Sequence, residues 1–100
     1  ISTPTDISLA IKYGINKLKF FPAENLGGMD YLNTINSPFK HLNLKYVALG
    51  GINQTNFTKY IKSDNIIGVG GSWIAEETLI KNNNWSEISI RAKKLLELSV

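Results

Sequence analysis

The sequence predicts an α/β fold built on parallel strands, and three observations carry that prediction. Three short apolar runs, Lys17–Phe21, Lys45–Leu49 and Ile66–Val69, have the length of strands. Each stops at a turn: Pro22 after the first, Gly50-Gly51 after the second, Gly70-Gly71 after the third. Around them, apolar residues recur at three- and four-residue spacing, the period of a helix packed along one side. Strands alternating with helices at this spacing form parallel βαβ crossovers.

The elements follow in order. Thr3-Pro4-Thr5-Asp6 starts a helix, with Thr3 as N-cap, Pro4 in the first turn and Asp6 three residues after the cap. Ile7, Ala10 and Ile11 form its stripe, and Gly14 stops it. After the first strand comes a polar loop, and then Gly27-Gly28 opens a second helix. Met29, Leu32 and Ile35 mark its inner side, and Asn36-Ser37-Pro38 ends it. A polar connector, Lys40-His41-Leu42-Asn43, leads to the second strand. That strand and the third read as buried on both faces. Asn53 caps a third helix bearing Phe57, Tyr60 and Ile61. A helical turn falls at Trp73 to Glu77, and Lys81-Asn82-Asn83-Asn84 is a loop. Asn84 and Glu87 make a capping pair for the last helix, with the stripe Ile88, Ala92, Leu95 and Leu96.

One hundred residues with 43% apolar content suit one ordinary globular unit with a thin core. A net charge of +3 suits a small anionic ligand and is too weak to argue for nucleic acid. Arg91, Lys93 and Lys94 read as the solvated side of a helix. The absence of cysteine excludes disulfides and thiol chemistry and suits a reducing cytoplasm. One histidine, His41, without clustered acidic partners gives no basis for a metal site. No apolar run approaches the roughly 20 residues of a membrane helix, and no signal peptide is visible. Ile1 is not a methionine, so upstream residues are expected. Three parallel strands cannot close a barrel, which takes eight, and a three-stranded open sheet leaves unpaired edges. The chain therefore reads as a part of a barrel, or as a half that pairs with something.

Two features point to chemistry. Lys19 lies between Leu18 and Phe20-Phe21 in a stretch built for burial. Alternation puts Lys19 and Phe21 on one face, Leu18 and Phe20 on the other. An ammonium so placed either reaches water or gives up its proton more easily, and the free amine is what Schiff-base chemistry needs. The second feature is the repeated glycine pair at strand ends. In parallel barrels, loops after the last two strands commonly hold a phosphate. Ser72 adds a hydroxyl there, and the turn at Trp73 a helix dipole.

These residues resemble a known family. Lys19-Phe20-Phe21-Pro22-Ala23-Glu24, with Gly27-Gly28 beyond, is similar to the Schiff-base lysine segment of the 2-keto-3-deoxy-6-phosphogluconate / 4-hydroxy-2-oxoglutarate aldolases. Ile1-Ser2-Thr3-Pro4-Thr5 resembles the stretch after that family's fifth strand. Gly50-Gly51-Ile52 and Gly70-Gly71-Ser72-Trp73 resemble its phosphate turns. The resemblance implies the C-terminal part of a (β/α)8 TIM barrel. The chain would be one partial-barrel domain over residues 1–100, the helix after strand five and three βα units, with no internal boundary. It also implies a cytoplasmic, homotrimeric, cofactor-free and metal-free class I aldolase.

In that reading Lys19 condenses with pyruvate, and the resulting enamine adds to glyceraldehyde 3-phosphate or glyoxylate. Gly50, Gly51, Gly71 and Ser72 hold the phosphate or polar end of the aldehyde. Phe21, Pro22, Glu24 and Leu49 stand near the pocket, Glu24 as a structural carboxylate of the loop. Leu49 departs from the threonine often found there. The family's general-base glutamate and its carboxylate-gripping arginine lie on earlier strands and have no counterpart here, so the chain alone is expected to be feeble or inactive. Two alternatives stand beside this: another phosphate-binding barrel, resembling the thiamine-phosphate synthases, and a non-catalytic chain that folds by dimerising.

Overall fold

The computed structural model describes residues 1–100 and contains three parallel strands with helices between them. β1 (Lys17–Phe20), β2 (Lys45–Ala48) and β3 (Ile66–Val69) lie side by side in chain order. β1 pairs with β2 in register, Lys17 opposite Lys45 and Lys19 opposite Val47. Against β3 the register slips by one residue between Tyr46 and Val47, so Tyr46 faces Ile66 and Val47 faces Gly68. Ile67 is the extra residue of that bulge and is half exposed.

Helix α1 (Pro4–Lys12) begins with the expected cap. The Thr3 hydroxyl accepts from the Asp6 N–H, and the Asp6 carboxylate accepts from the N–H groups of Ser2 and Thr3. These bonds, the Ser2 N–H first, hold the Asp6 pKa below the usual carboxylate range. Ahead of α1, Ile1 lies along the outer edge of β1. Its nitrogen donates to the Lys19 carbonyl, and its own carbonyl accepts from the Phe21 N–H. The Tyr31 hydroxyl ties the same segment down by donating to the Ser2 carbonyl at 2.7 Å.

Residues expected as a polar loop after β1 form a short helix instead, α2 (Ala23–Leu26), followed by α3 (Gly28–Asn36). Both first amides of α2 find acceptors beyond β2: Ala23 donates to the Leu49 carbonyl and Glu24 to that of Gly50. The connector holding His41 is a 3-10 helix, Ser37–Leu42, rather than a plain loop. Helix α4 spans Phe57–Ile61. Asn53 caps the turn ahead of it, accepting from the N–H groups of Thr55 and Asn56.

A 3-10 turn, Ser72–Ala75, is followed by the short helix α5 (Glu77–Lys81), in residues only partly expected to be helical. In α6 (Trp85–Leu98) the cap is one-sided. Asn84 accepts from the Glu87 N–H, but the Glu87 carboxylate turns to Arg91. Arg91 is therefore not the solvated residue the sequence suggested, while Lys93 and Lys94 are exposed. The inner stripe of α6 also shifts: Leu95 and Leu98 pack against the core, and Leu96 faces outward.

The core occupies one face of the sheet. Leu18, Phe20, Tyr46, Ala48 and Ile66 point to the helices, where they meet Ile7, Leu32, Ile35, Phe57 and Tyr60. The other face carries Lys19, Val47 and Gly68 across the three strands, with no element covering it. β2 and β3 are thus not buried on both faces, as their apolar runs suggested. Only 15 of 100 residues are buried, which is what one covered face allows. No helix is long and apolar enough to cross a membrane.

Candidate active site

The C-terminal ends of the three strands surround an open cleft of about 690 Å³. Phe21 lines it from β1, Leu49, Gly50 and Gly51 from the loop after β2, and Gly70, Gly71, Ser72 and Trp73 from the loop after β3. Glu76 is the one charged side chain in the lining.

Backbone geometry explains why glycine stands at these turns. At Gly50, φ is +108°, and an added Cβ would lie 2.7 Å from the Pro22 Cα. The chain after β1 therefore crosses directly over Gly50, and the close approach excludes any side chain. At Gly71 an added Cβ would lie 2.7 Å from the Ile52 carbonyl oxygen. Much of the room left by these glycines is filled by the chain itself. The amide N–H groups of Gly50, Gly51 and Gly71 nonetheless have no acceptor within the protein, and the Ser72 hydroxyl has no partner.

Lys19 lies on the open face of β1 and is exposed. Its Nζ stands 5.4 Å from the centroid of the Phe21 ring, which in turn lines the cleft. Only one aromatic accompanies the ammonium, because Phe20 points into the core on the opposite face. The lysine is thus beside the cleft, not enclosed between two rings.

Pro22, joined to Phe21 by a cis peptide bond, forms the roof over Gly50 and does not line the cleft. Glu24 does not line it either. Its carboxylate points toward α4, accepting from the Tyr60 hydroxyl at 2.7 Å and from Asn56 Nδ2 at 2.6 Å. The same Asn56 amide donates to the Gly51 carbonyl at 2.9 Å. Burial first, and then the Glu24 carboxylate, push the Tyr60 pKa well above the ordinary tyrosine value. Sequence reasoning assigned no role to Asn56, Tyr60 or Glu76. Tyr60 showed only as one residue of a helical stripe, and no local signal marked the other two.

The chain matches the family described as "Aldolase: KDPG and KHG aldolase" over residues 1–90. It is 35% identical over 98 residues to the 2-dehydro-3-deoxy-phosphogluconate aldolase of Haemophilus influenzae, covering 98% of this chain and 45% of that protein. It is 31% identical to the KHG/KDPG aldolase of Escherichia coli K12 over 97 residues, 97% of this chain and 45% of that protein.

Two solved structures extend the comparison. A KDPG aldolase from Legionella pneumophila, with pyruvate captured as a covalent carbinolamine intermediate, superposes with a TM-score of 0.84 at 35% identity. It covers all of this chain and 46% of that one. The aldolase of Zymomonas mobilis ZM4 with 3-phosphoglycerate gives 0.79 at 32% identity, covering 95% of this chain and 43% of that one. The chain spans less than half the length of each of these relatives.

Proposed function

Because the chain belongs to the KDPG and KHG aldolase family, we propose that it carries the Schiff-base lysine and the phosphate-holding loops of a class I aldolase. In this reading it is the C-terminal part of a (β/α)8 barrel, and the open face with Lys19, Val47 and Gly68 is a piece of the barrel interior. The observation that carries the proposal is the placement of Lys19 on that open face, with Phe21 linking it to the cleft lined by both glycine pairs.

The chemistry follows from the residues. The free amine of Lys19 adds to the ketone carbon of pyruvate, forming a C–N bond while the ketone oxygen takes up a proton. Loss of that oxygen as water leaves an imine, and loss of a methyl proton gives the enamine. The enamine carbon bonds to the aldehyde carbon of glyceraldehyde 3-phosphate or glyoxylate, the aldehyde oxygen takes up a proton and the imine re-forms, and its hydrolysis releases the product and restores Lys19. Cleavage is the same sequence reversed. A pyruvate carbinolamine in the Legionella protein supports the first step, and 3-phosphoglycerate in the Zymomonas protein supports an anionic, phosphorylated ligand class. In this chain the unpartnered amides of Gly50, Gly51 and Gly71 and the Ser72 hydroxyl would receive the phosphate.

Neither nearby carboxylate is free to shuttle protons at Lys19: Glu76, in the cleft lining, is paired with Arg91, and Glu24 is engaged by Tyr60 and Asn56. A placed acid–base group contributes roughly 10²–10⁴-fold, so this chain alone should turn over slowly or not at all.

Borohydride trapping with pyruvate, read by intact mass and peptide mapping, tests the proposal. A pyruvyl adduct on Lys19 that disappears in Lys19→Ala is the expected result. An adduct confined to other lysines overturns the assignment. So does the absence of any adduct both in this chain and in one extended upstream by the remaining strands of the barrel.

A second reading has one observation in its favour: Val47 and the bulged Ile67 leave apolar surface uncovered on the sheet. A non-catalytic chain that self-associates through that surface would sediment as a concentration-dependent oligomer and trap no pyruvate.

A further inference from the structure

The cleft proposed to hold a phosphate presents one contradiction: the single charged side chain in its lining, Glu76, carries the same sign as the ligand. Arg91 resolves it. From α6, its Nη1 donates to Glu76 Oε1 at 2.9 Å and to the Trp73 carbonyl at 2.7 Å. Its Nε donates to Glu87 Oε1 at 3.1 Å, and the guanidinium lies 4.9 Å from the centroid of the Trp73 ring. The Arg91 side chain is 19% exposed, while Glu76 is 46% exposed. One planar cation thus reaches two carboxylates, a carbonyl and an aromatic face, which the point charge of a lysine could not do together.

We propose that Arg91 is a positioning residue for the anion cleft. It neutralises Glu76, whose carboxylate would otherwise repel the phosphate, and its bond to the Trp73 carbonyl holds the guanidinium in place beside that carboxylate. The role rests on the phosphate reading of the cleft. Arg91 does not line the cleft itself, so it acts through Glu76 and not by touching the ligand. Glu87, one turn earlier on α6, keeps the guanidinium aimed at the turn.

Titration with inorganic phosphate, followed through the amide resonances of Gly51 and Gly71, tests this in the chain as it stands. The wild-type chain should bind, Arg91→Met should bind roughly tenfold more weakly, and Arg91→Met/Glu76→Gln should return to within about twofold of wild type. Equal binding by wild type and Arg91→Met overturns the Arg91 role and leaves the cleft reading standing. Weakening that Glu76→Gln does not relieve also overturns it, because the loss would then come from a disturbed fold. If the wild-type resonances do not move, the cleft reading falls and the Arg91 role falls with it.

Should Arg91→Met fail to fold, Glu76→Gln alone decides. A carboxylate already neutralised can be removed with less than about a twofold change, whereas tightening by about fivefold or more would show its charge acting on the cleft.

Discussion

The Tyr60 hydroxyl donates a 2.7 Å hydrogen bond to Oε2 of Glu24, joining α4 to the turn that follows the lysine strand. Oε1 of the same carboxylate accepts from Asn56, which also holds the Gly51 carbonyl. Through this carboxylate, the turn after β1 and the loop after β2 are set relative to each other. Tyr60 is almost fully buried, so Tyr60→Phe keeps the packing and removes one charge-assisted bond. The expected cost is about 1.5–3 kcal/mol, read from urea unfolding. The Gly51 amide resonance should shift as Asn56 and Glu24 readjust. A variant as stable as wild type with Gly51 unmoved would show that the bond does not set the loop.

Phe20 and Phe21 are neighbours in the chain with opposite surroundings: Phe20 is fully buried against the helices, and Phe21 is half exposed on the open face. Phe20→Ala should cost about 3–5 kcal/mol, and in a core this small it should unfold most of the population. Phe21→Ala should cost less than about 1 kcal/mol. Circular dichroism with urea titration distinguishes the two. Similar losses at both positions would mean that the second face is covered in solution, as in a self-associated form.

Period-2 alternation made that difference legible from the sequence, as the Thr3 and Asp6 cap made the first helix legible. Turn chemistry likewise marked where each strand ends. The expectation that β2 and β3 are buried on both faces came from reading Val47 and Ile67 as core. Apolar residues suited to an interior do not reveal which part of the chain supplies its other side. The candidate site is marked in the sequence where a residue type carries its own chemistry, as with Lys19 and the glycine pairs. It is not marked where a side chain's part depends on distant partners. Arg91 looks like any basic residue on a helix until α6 is packed over Trp73. Glu24 shows its role only once Tyr60 and Asn56, more than thirty positions away, are brought to it.

Gly50 tests how closely the chain crosses itself. Its ideal Cβ would lie 2.7 Å from the Pro22 Cα and 2.8 Å from the Ala23 nitrogen, both backbone atoms that cannot swing aside. Gly50→Ala should therefore cost more than about 3 kcal/mol, combining left-handed strain with a clash. Gly14 also has positive φ, +75°, but nothing lies within 4 Å of its ideal Cβ. Gly14→Ala should cost only about 1 kcal/mol, the conformational penalty alone. Equal losses in thermal unfolding would mean that the crossing adds nothing.

The buried tyrosines set the alkaline limit of the fold. Burial pushes the Tyr46 pKa up to about 12, and Tyr60 is raised as well, by burial first and then by Glu24. Between the unfolded value near 10 and the folded value, the unfolded chain has released the phenolic proton and the folded chain has kept it. The unfolded state then binds fewer protons, so stability falls as pH rises through this window, by up to about 1.4 kcal/mol per pH unit for each tyrosine. Below about pH 9.5 both states hold the proton and these tyrosines add no pH dependence. Urea midpoints should be level from about pH 8 to 9.5 and drop steeply by about pH 11. Tyr46→Phe, which leaves Asn36 Oδ1 without its donor, should be less stable at neutral pH yet lose less on the way to pH 11. Parallel losses in wild type and Tyr46→Phe would place the alkaline transition on other groups.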